Sequence, residues 1–340
     1  MIPFLKTPTI NYREVFAKGK DFAVTTSKEF YQNAIIARGK SKDLVKTNYE
    51  LGLYHMSQRN ISDAILRFFL TTLLRPDHLL AHYQLGRCYM IKGLYAKASR
   101  EFHKVLALKE DHPESLYYLA VLGEITPPNH LPGAIIEEHF DMIAPQYNDN
   151  ILAELHYTGH TQIAEKIATQ LPAELTAPSV LDLGCGTGLC GSEIKKRLPA
   201  ATVTGIDIAA NMLSQATRLY VGGSLIYQTT EKKSIAAILE EKAGTYNIII
   251  SGMALHYIGE LRPIFDGIRP MLADDGVFVF TVQHSEGRGM ALTEDMKNFA
   301  YSQAYIKETA EAAGLMVIDI SEQPLYEGLP GLLCVLKTHP

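Results

Sequence analysis

Three glycines at alternate positions, Gly184, Gly186 and Gly188, follow a short apolar run that contains Asp182. Glycine has no Cβ and readily adopts positive φ, so a backbone with this spacing can pass close against a ligand. A helix that begins directly after such a turn directs its free N–H groups at the same ligand. Residues 180–191, VLDLGCGTGLCG, therefore predict a tight turn that binds a nucleoside-containing ligand.

A second acidic residue completes this pattern. Asp207 stands 19 residues beyond Gly188 (207 − 188) and ends another short apolar run, VTGID. A carboxylate at the end of the strand that follows a glycine turn can accept hydrogen bonds from the hydroxyls of a ribose. The turn and Asp207 together predict half of a nucleoside-binding site.

The glycines can be read in two frames. Gly186, Gly188 and Gly191 give the dinucleotide fingerprint G-x-G-x-x-G, which keeps an NAD-dependent dehydrogenase open as an alternative. In the other frame, Gly184 leads the series and Asp182 lies at the carboxyl end of the preceding strand. A carboxylate there repels a pyrophosphate and attracts an ammonium group. The balance favours a cofactor that carries a cationic group.

The elements that must position these residues alternate between strand and helix from Ser179 onward. Predicted strands are SVLDLG, TVTGIDI, LIYQTT, YNIIISG, GVFVFTVQ, LMVIDIS and GLLCVLK, and predicted helices begin near Cys190, Asn211, Ser234, Gly259 and Asp295. The continuous apolar runs suit strands that are buried on both faces of a parallel sheet. The last two strands have a short connection, which predicts an antiparallel hairpin at the C-terminus.

The N-terminal part repeats with a period of 34 residues. The dipeptides Leu51-Gly52, Leu85-Gly86 and Leu119-Ala120 are 34 residues apart (85 − 51 and 119 − 85), and Ala64 and Phe68 recur as Ala98 and Phe102. This is the period of tetratricopeptide repeats, in which paired helices bury their apolar faces by stacking on neighbours. Two repeats and a partial third are predicted.

The domain organisation follows from these patterns. Predicted segments are an N-terminal helical segment (1–40) with a helix from Ser27 to Gly39, the repeats (41–124), a proline-rich linker (125–134), and the α/β domain (135–340) with lid helices at about 135–155 and 160–171. The repeats either cap the α/β domain or form a groove that docks a protein or peptide. Both interpretations stay open.

Composition excludes some classes of partner. The 340 residues carry a formal net charge of −5 without clustered Lys and Arg, which disfavours a nucleic-acid partner. No apolar run approaches the roughly 20 residues that a membrane helix needs, so no membrane partner is expected. The four cysteines show no metal-ligand spacing, so we expect no metal site, reduced thiols and a soluble, cytoplasmic protein.

LDLGCGTG and VTGIDIAANML resemble the first two motifs of class I S-adenosylmethionine-dependent methyltransferases. Together with the repeats, YNIIISGMALHYIGEL and YIKETAEAAGLMVIDI resemble a bacterial family of predicted tetratricopeptide-containing methyltransferases. The resemblance implies a Rossmann-like sheet of seven strands with an antiparallel C-terminal hairpin. It also implies that S-adenosyl-L-methionine is the cofactor and that the acceptor is a small molecule or a protein.

The same resemblance implies a set of cofactor-binding residues. These are Asp182 and the backbone of Gly184, Cys185, Gly186 and Gly188 for the methionine end, Asp207 for the ribose, Ile208 and Met212 for the adenine ring, Thr230 or Glu231 for its amino group, Ser251 at the end of the fourth strand, and Tyr147 from the lid. Members of the class often carry an acidic residue where this chain has Gly252. No catalytic carboxylate is therefore expected there.

Methyl transfer to oxygen or nitrogen can need a base that takes the acceptor's proton. His256, after the fourth strand, and His284, after the fifth, are the catalytic candidates. The competing interpretation is that each histidine only packs against the sheet or bonds a loop. A further hypothesis is that the chain is a tetratricopeptide interaction module whose cofactor site is regulatory or vestigial.

Overall fold

The computed structural model describes residues 44–172, 174–242 and 244–338. The chain divides into two compact units between Pro128 and Asn129. The helix predicted from Ser27 to Gly39 lies outside the described residues.

The first unit is helical within its described residues. Its helices are α1 (Leu44–Ser57), α2 (Ile61–Leu74), α3 (Leu79–Ile91), α4 (Tyr95–Leu108) and α5 (Pro113–Val121). A glycine in the first helix of each pair faces a phenylalanine in the second. A Cβ on Gly52 would lie 2.6 Å from the Phe68 ring, and a Cβ on Gly86 would lie 2.7 Å from Phe102. The period read from the sequence therefore corresponds to a repeated packing contact.

A polar contact repeats at the same period. The Arg67 guanidinium donates to Asn48 Oδ1 at 3.1 Å, and His82 Nδ1 lies 2.6 Å from Glu101 Oε2. These residues are equivalent, since 48 + 34 = 82 and 67 + 34 = 101. Each pair joins the two helices of one repeat at the equivalent position. The first pair is a guanidinium with an amide, and the second is an imidazole with a carboxylate.

The helix starts repeat as well. The Nδ1 atom of His78 accepts from the N–H of Ala81 at the start of α3. His112, which is 34 residues later (112 − 78), accepts in the same way from Ser115 at the start of α5. A side-chain acceptor at this position satisfies one of the N–H groups that a helix leaves free at its first turn.

The second unit is an α/β domain. Its elements in order are α6 (Gly133–Ile143), α7 (Gly159–Ala168), β1 (Ser179–Leu183), α8 (Leu189–Arg197), β2 (Thr202–Asp207), α9 (Ala210–Ala216), β3 (Tyr220–Val221), β4 (Ser224–Leu225), β5 (Thr229–Lys232), α10 (Ile235–Glu241), β6 (Tyr246–Ser251), α11 (Arg262–Ile268), β7 (Leu272–His284), β8 (Met290–Leu292), β9 (Phe299–Tyr301), α12 (Gln303–Ala312), β10 (Leu315–Tyr326) and β11 (Leu329–Thr338). Short 3₁₀ turns occupy Ala144–Gln146, Leu255–Tyr257 and Arg269–Met271.

Seven of these strands form the main path of one sheet, in the order β10-β11-β7-β6-β1-β2-β5. Strands β5, β2, β1, β6 and β7 run parallel, whereas β11 is antiparallel to both β7 and β10. The register places Asp182 of β1 beside Gly205 of β2 and Ile250 of β6. The predicted Rossmann-like sheet with an antiparallel C-terminal pair is thereby confirmed. It brings the carboxyl ends of β1 and β2 to one edge.

The helix predicted near Asp295 is wrong. Residues 290–301 form a hairpin of β8 and β9, and β9 continues alongside the end of β7. Within this hairpin the Thr293 hydroxyl donates to Asp295 Oδ1 at 2.7 Å. Such local side-chain bonds compete with helix formation. The helix begins later, at Gln303, where the Ser302 hydroxyl accepts from the N–H of Tyr305.

The third strand is shorter and later than predicted. The run LIYQTT suggests a strand from 225 to 230, whereas β5 covers Thr229–Lys232. Ile226 and Tyr227 precede β5 and are buried in the core of the α/β unit. The apolar run therefore belongs partly to a connecting segment whose side chains turn inward.

The predicted lid helices are interrupted. Helix α6 ends at Ile143, a 3₁₀ turn that contains Pro145 follows, and Asp149–Glu154 form a π-helical turn. Proline lacks the N–H that would continue the helix, which accounts for the break after α6. The second predicted helix corresponds to α7.

Two observations bear on the cysteines and on membranes. All four cysteines, Cys88, Cys185, Cys190 and Cys334, are buried free thiols. Within the described ranges, no helix is both long enough and apolar enough to span a bilayer.

Candidate cofactor site

The glycine turn between β1 and α8 has three positive φ angles, 70° at Gly184, 54° at Gly186 and 95° at Gly188. L-residues with a Cβ rarely adopt such angles, which explains the glycines in physical terms. Their surroundings differ. A Cβ on Gly184 would collide with Ala254, whereas a Cβ on Gly186 would meet no atom within 4 Å. The turn is therefore packed at its first glycine and open at its second.

Asp207 at the end of β2 is bonded to this open part of the turn. Its Oδ2 accepts from the Gly186 N–H and its Oδ1 from the Ala209 N–H, each at 2.8 Å. Burial raises the pKa of Asp207, and these two N–H groups act in the opposite direction. The predicted turn and the predicted carboxylate therefore meet at one edge of the sheet.

Asp182 lies deeper than expected from the sequence, with 1% of its surface exposed. The Tyr227 hydroxyl donates to its Oδ2 at 2.7 Å, whereas its Oδ1 has no hydrogen-bond partner within the described residues. Burial raises the pKa of Asp182 to about 7, although the Tyr227 hydroxyl lowers it. One oxygen of this carboxyl is thus held by the protein and the other is available.

Sequence reasoning missed Tyr227. Its ring lies against three glycines: a Cβ would be 3.2 Å from the ring at Gly188 and 2.7 Å from it at Gly205, and at Gly191 a Cβ would collide with the hydroxyl. The third glycine of the dinucleotide frame, Gly191, thus makes room for a tyrosine. The signal that could have identified it is the excess of glycines in the two strand-and-helix units that precede this tyrosine, which lies just before β5.

The two residues predicted to pack on adenine lie beside the lid. Met212 is buried in a cluster with Ala209 and Met253. Ile208 is half-buried, and its Cδ1 lies 3.2 Å from the position of a Cβ on Gly133 at the start of α6. The structure therefore brings this part of the predicted site to the lid side of the sheet.

Thr230 and Glu231 lie on β5, beside β2. In the parallel register Thr230 pairs with Gly205 and Glu231 pairs with Ile206, the residue directly before Asp207. The Glu231 carboxylate lies 2.8 Å from Lys233 Nζ. In the described structure Glu231 is thus engaged by a lysine, and its proposed contact with an adenine amino group stays a prediction.

Ser251 and Gly252 lie in a tightly packed region at the end of β6, which has room only for small side chains. The Ser251 hydroxyl is fully buried and donates to the Leu183 carbonyl at 2.9 Å, so it joins β6 to β1. A Cβ on Gly252 would lie 2.6 Å from Cys190 Sγ and 3.1 Å from Tyr157 Oη. No carboxylate fits at position 252, which gives a steric reason for the expected absence of an acidic residue.

The two candidate histidines lie on different elements. His256 is fully buried on the 3₁₀ turn after β6, and neither ring nitrogen has a hydrogen-bond partner among the described residues. Burial lowers the pKa of His256 to about 3, so its imidazole is neutral at physiological pH. His284 ends β7 and is half-buried opposite Tyr301 of β9.

Two aromatic side chains of the lid, Phe140 and Tyr147, pack against the cluster that contains Ala209 and Met212. The Phe140 ring centroid is 5.3 Å from that of Tyr257 and 6.2 Å from that of Tyr147. Burial raises the pKa of Tyr147, and the nearby Asp207 carboxylate adds to the effect. Tyr147 is therefore within electrostatic range of the carboxylate predicted to bind the ribose.

Polar contacts tie the lid to the sheet. Asn148 accepts from the Thr187 hydroxyl of the glycine turn at 2.6 Å. Asp141 accepts from the N–H of Asn211 at 2.7 Å. The lid thus contacts both the glycine turn and the helix that follows Asp207.

Comparison with known proteins gives this geometry a class. A family model described as a methyltransferase domain matches residues 181–278, which run from β1 into β7 and include Asp182, the glycine turn and Asp207. The match identifies a methyltransferase domain in this part of the chain and favours it over a dehydrogenase.

Two curated relatives match part of the chain. The chain is 34% identical over 133 residues to the biotin biosynthesis bifunctional protein BioCD of Bordetella avium (strain 197N), covering 39% of this chain and 26% of that protein. It is 31% identical over 125 residues to the malonyl-[acyl-carrier protein] O-methyltransferase of Geobacter sulfurreducens (strain ATCC 51573 / DSM 12127 / PCA), covering 36% and 45%. The chain thus spans less than half the length of either relative.

A solved structure is also similar. It is Burkholderia thailandensis 1,6-didemethyltoxoflavin-N1-methyltransferase with bound 1,6-didemethyltoxoflavin and S-adenosylhomocysteine. The sequences are 17% identical, the TM-score is 0.49, and the similarity covers 63% of this chain and 94% of that chain.

Proposed function

We propose that this chain is a methyltransferase that uses S-adenosyl-L-methionine and transfers a methyl group to a small-molecule or protein acceptor. The observation that carries the proposal is the meeting of Asp207 with the open side of Gly186, inside the residues that match a methyltransferase domain. S-adenosylmethionine supplies a methyl group on a positively charged sulfur, from which a nucleophile displaces it.

The residues at this edge fit the cofactor. Asp207 supplies two carboxylate oxygens, each of which accepts one backbone N–H and has a further lone pair for a ribose hydroxyl. The open side of Gly186 lets the ligand approach the backbone without a clash. Asp182 adds a carboxyl oxygen that has no hydrogen-bond partner among the described residues, which suits the ammonium group of the methionine end.

The chain's part in the chemistry is chiefly to bring acceptor and methyl group into line in a site without water. Phe140 contacts both Tyr147 and Tyr257, and Phe140 and Tyr147 pack against the cluster that contains Met212. His256 is a neutral imidazole with two nitrogens available for hydrogen bonds. Its low pKa makes it a weak base, so we assign it a hydrogen bond to the acceptor. A role for His284 stays a prediction.

We also infer that helices α1 to α5 are tetratricopeptide repeats that dock a protein or peptide. The repeated Gly52–Phe68 and Gly86–Phe102 contacts support this inference. The proposed division of the chain at 41–124, 125–134 and 135–340 goes with it. The alternative is an interaction module whose cofactor site has no catalytic use.

Calorimetry with S-adenosylhomocysteine tests the cofactor. We expect the intact protein to bind and Asp207→Ala to lose binding. Transfer of label from radiolabelled S-adenosylmethionine to cell extract then separates the enzyme from the interaction module. Since one relative is named for methylating malonyl-[acyl-carrier protein], that substrate is a defined second arm of the assay. Binding without transfer in either arm would favour the module.

A further inference from the structure

The Tyr227 side chain spans a large part of the glycine-rich region. It lies between β4 and β5 with 5% of its surface exposed, and its hydroxyl donates to Asp182 Oδ2 at 2.7 Å. Gly188, Gly191 and Gly205, from the turn, α8 and β2, leave the space that its ring and hydroxyl occupy. The absence of a side chain at one position in each of three elements thus makes the space in which Tyr227 reaches the Asp182 carboxyl.

This contact affects the charge of Asp182. A buried carboxylate is unfavourable unless hydrogen bonds stabilise it, and a bond from a hydroxyl to a carboxylate is stronger than one between neutral groups. The other ionisable groups that act on Asp182, or on which it acts, are all acidic. They are Asp207 from β2, Cys185 from the turn, Cys190 from α8 and Tyr157 from the segment before α7. Among the described residues, the Tyr227 hydroxyl is therefore the side-chain donor that favours the charged form, and the backbone N–H of Gly191 acts in the same direction.

We propose that Tyr227 is a positioning residue for the cofactor site: its hydroxyl holds Oδ2 of Asp182, favours the charged form of the carboxyl, and leaves Oδ1 directed to the ammonium group of the cofactor. This inference rests on the proposed function. It separates two uses of the glycines. Gly186 makes room for the ligand, whereas Gly191 and Gly205 make room for the residue that prepares Asp182.

The test is the pH dependence of S-adenosylhomocysteine binding by the full chain between pH 6 and 8. The charged Asp182 binds an ammonium, so affinity falls as pH falls through the pKa of the free carboxyl. Removing the hydroxyl in Tyr227→Phe raises that pKa. We expect affinity to weaken about tenfold at pH 7, because a hydrogen bond to a charged group is lost. The midpoint of the pH profile should move to higher pH.

Matched variants exclude a merely structural effect. Tyr220→Phe removes a hydroxyl from a tyrosine that is 63% exposed and should leave the profile unchanged. In an Asp182→Asn background, which has no charge to lose, Tyr227→Phe should cause no further midpoint shift. Gly191→Ala retains the hydroxyl while its Cβ displaces it, so it should shift the midpoint as Tyr227→Phe does. It serves as the second probe if Tyr227→Phe does not fold, as judged by circular dichroism.

The outcomes are distinguishable. If the wild-type chain fails to bind S-adenosylhomocysteine at any pH, the proposed function is overturned, and this inference with it. If the wild type binds and both Tyr227→Phe and Gly191→Ala keep its pH midpoint, this inference alone is overturned.

Discussion

The carboxylate of Asp207 lies 2.8 Å from the backbone N–H of Gly186, so the end of β2 is hydrogen-bonded directly to the turn that ends β1. This contact joins the two sequence motifs that sequence analysis singled out. It also fixes Asp207 beside the open side of Gly186, where a ligand would have to pass. Predictions about either residue therefore concern both ligand binding and the shape of the turn.

Asp207→Ala is expected to weaken S-adenosylhomocysteine binding by about 100-fold, because two hydrogen bonds to a charged acceptor are lost. Isothermal calorimetry measures the loss. Asp274→Ala, at an exposed position in the same domain, is the matched control and should bind like the wild type. Unchanged affinity of Asp207→Ala would contradict the assignment of Asp207 to the ribose.

Gly184→Ala and Gly186→Ala should separate stability from binding. Alanine at 184 collides with Ala254, so that variant should unfold several degrees below the wild type. Alanine at 186 meets open space and carries only backbone strain of about 1–2 kcal/mol, yet its methyl group enters the proposed ligand space. We expect Gly186→Ala to stay folded and to bind S-adenosylhomocysteine at least tenfold more weakly. Thermal unfolding and calorimetry on both variants distinguish the effects. Equal losses in both assays would argue against this division of roles.

The buried Asp182 carboxyl makes folding pH-dependent. Its pKa is about 7 in the folded chain, against about 3.9 for an unfolded aspartate. The folded state therefore binds more protons, and this group's contribution to stability is lost as pH rises from 4 to 7. The loss is about 4 kcal/mol by pH 8. Asp182→Asn should thus gain stability relative to the wild type at pH 8 and lose that advantage near pH 4. Denaturant unfolding at both pH values checks the sign. A constant difference would show that Asp182 does not titrate in this range.

His256→Met should retain or raise the melting temperature, because it replaces a buried imidazole that has no hydrogen-bond partner in the described part of the chain by an apolar side chain of similar size. S-adenosylhomocysteine affinity should stay unchanged, while label transfer to the acceptor falls about tenfold or more. His284→Gln offers the comparison at the other candidate position. A His256→Met enzyme with full transfer would remove His256 from the acceptor site.

Gly52→Ala should destabilise the helical unit by about 1–3 kcal/mol, although alanine is the better helix former. The reason is the Phe68 ring, which lies 2.6 Å from the position of the new Cβ. Shortening the partner in Gly52→Ala/Phe68→Leu should recover part of the loss. Scanning calorimetry on the full chain reports both effects. Additive losses would mean that residues 52 and 68 do not interact.

Sequence reasoning reached the features that local pattern determines. The glycine turn and Asp207 follow from short motifs, and the alternation of strands and helices follows from the apolar runs, whereas the seven-stranded sheet was implied by the resemblance to class I methyltransferases. Tyr227 was missed because its role depends on glycines that are distant in sequence, such as Gly205. The hairpin at 290–301 was missed because a threonine and an aspartate bond each other locally and override a weak helical pattern.

The burial of Asp182 was also beyond the sequence. A short strand with an acidic residue at its end looks the same whether that residue faces solvent or the core. Only the helices and the Tyr227 segment packed around β1 determine that the carboxyl lies inside. For the same reason, the steric exclusion of a carboxylate at Gly252 required the positions of Cys190 and Tyr157.

The two polar pairs of the helical unit, Asn48–Arg67 and His82–Glu101, have a consequence for assembly. Repeats with the same geometry can in principle mispair, with one helix docking on the wrong partner. If α1 were paired with α4 through these positions, Asn48 would face Glu101, and if α3 were paired with α2 through them, His82 would face Arg67. The second combination leaves the partly buried Arg67 guanidinium without an acceptor. Because the equivalent positions carry different side chains, each helix pairs favourably only with the other helix of its own repeat.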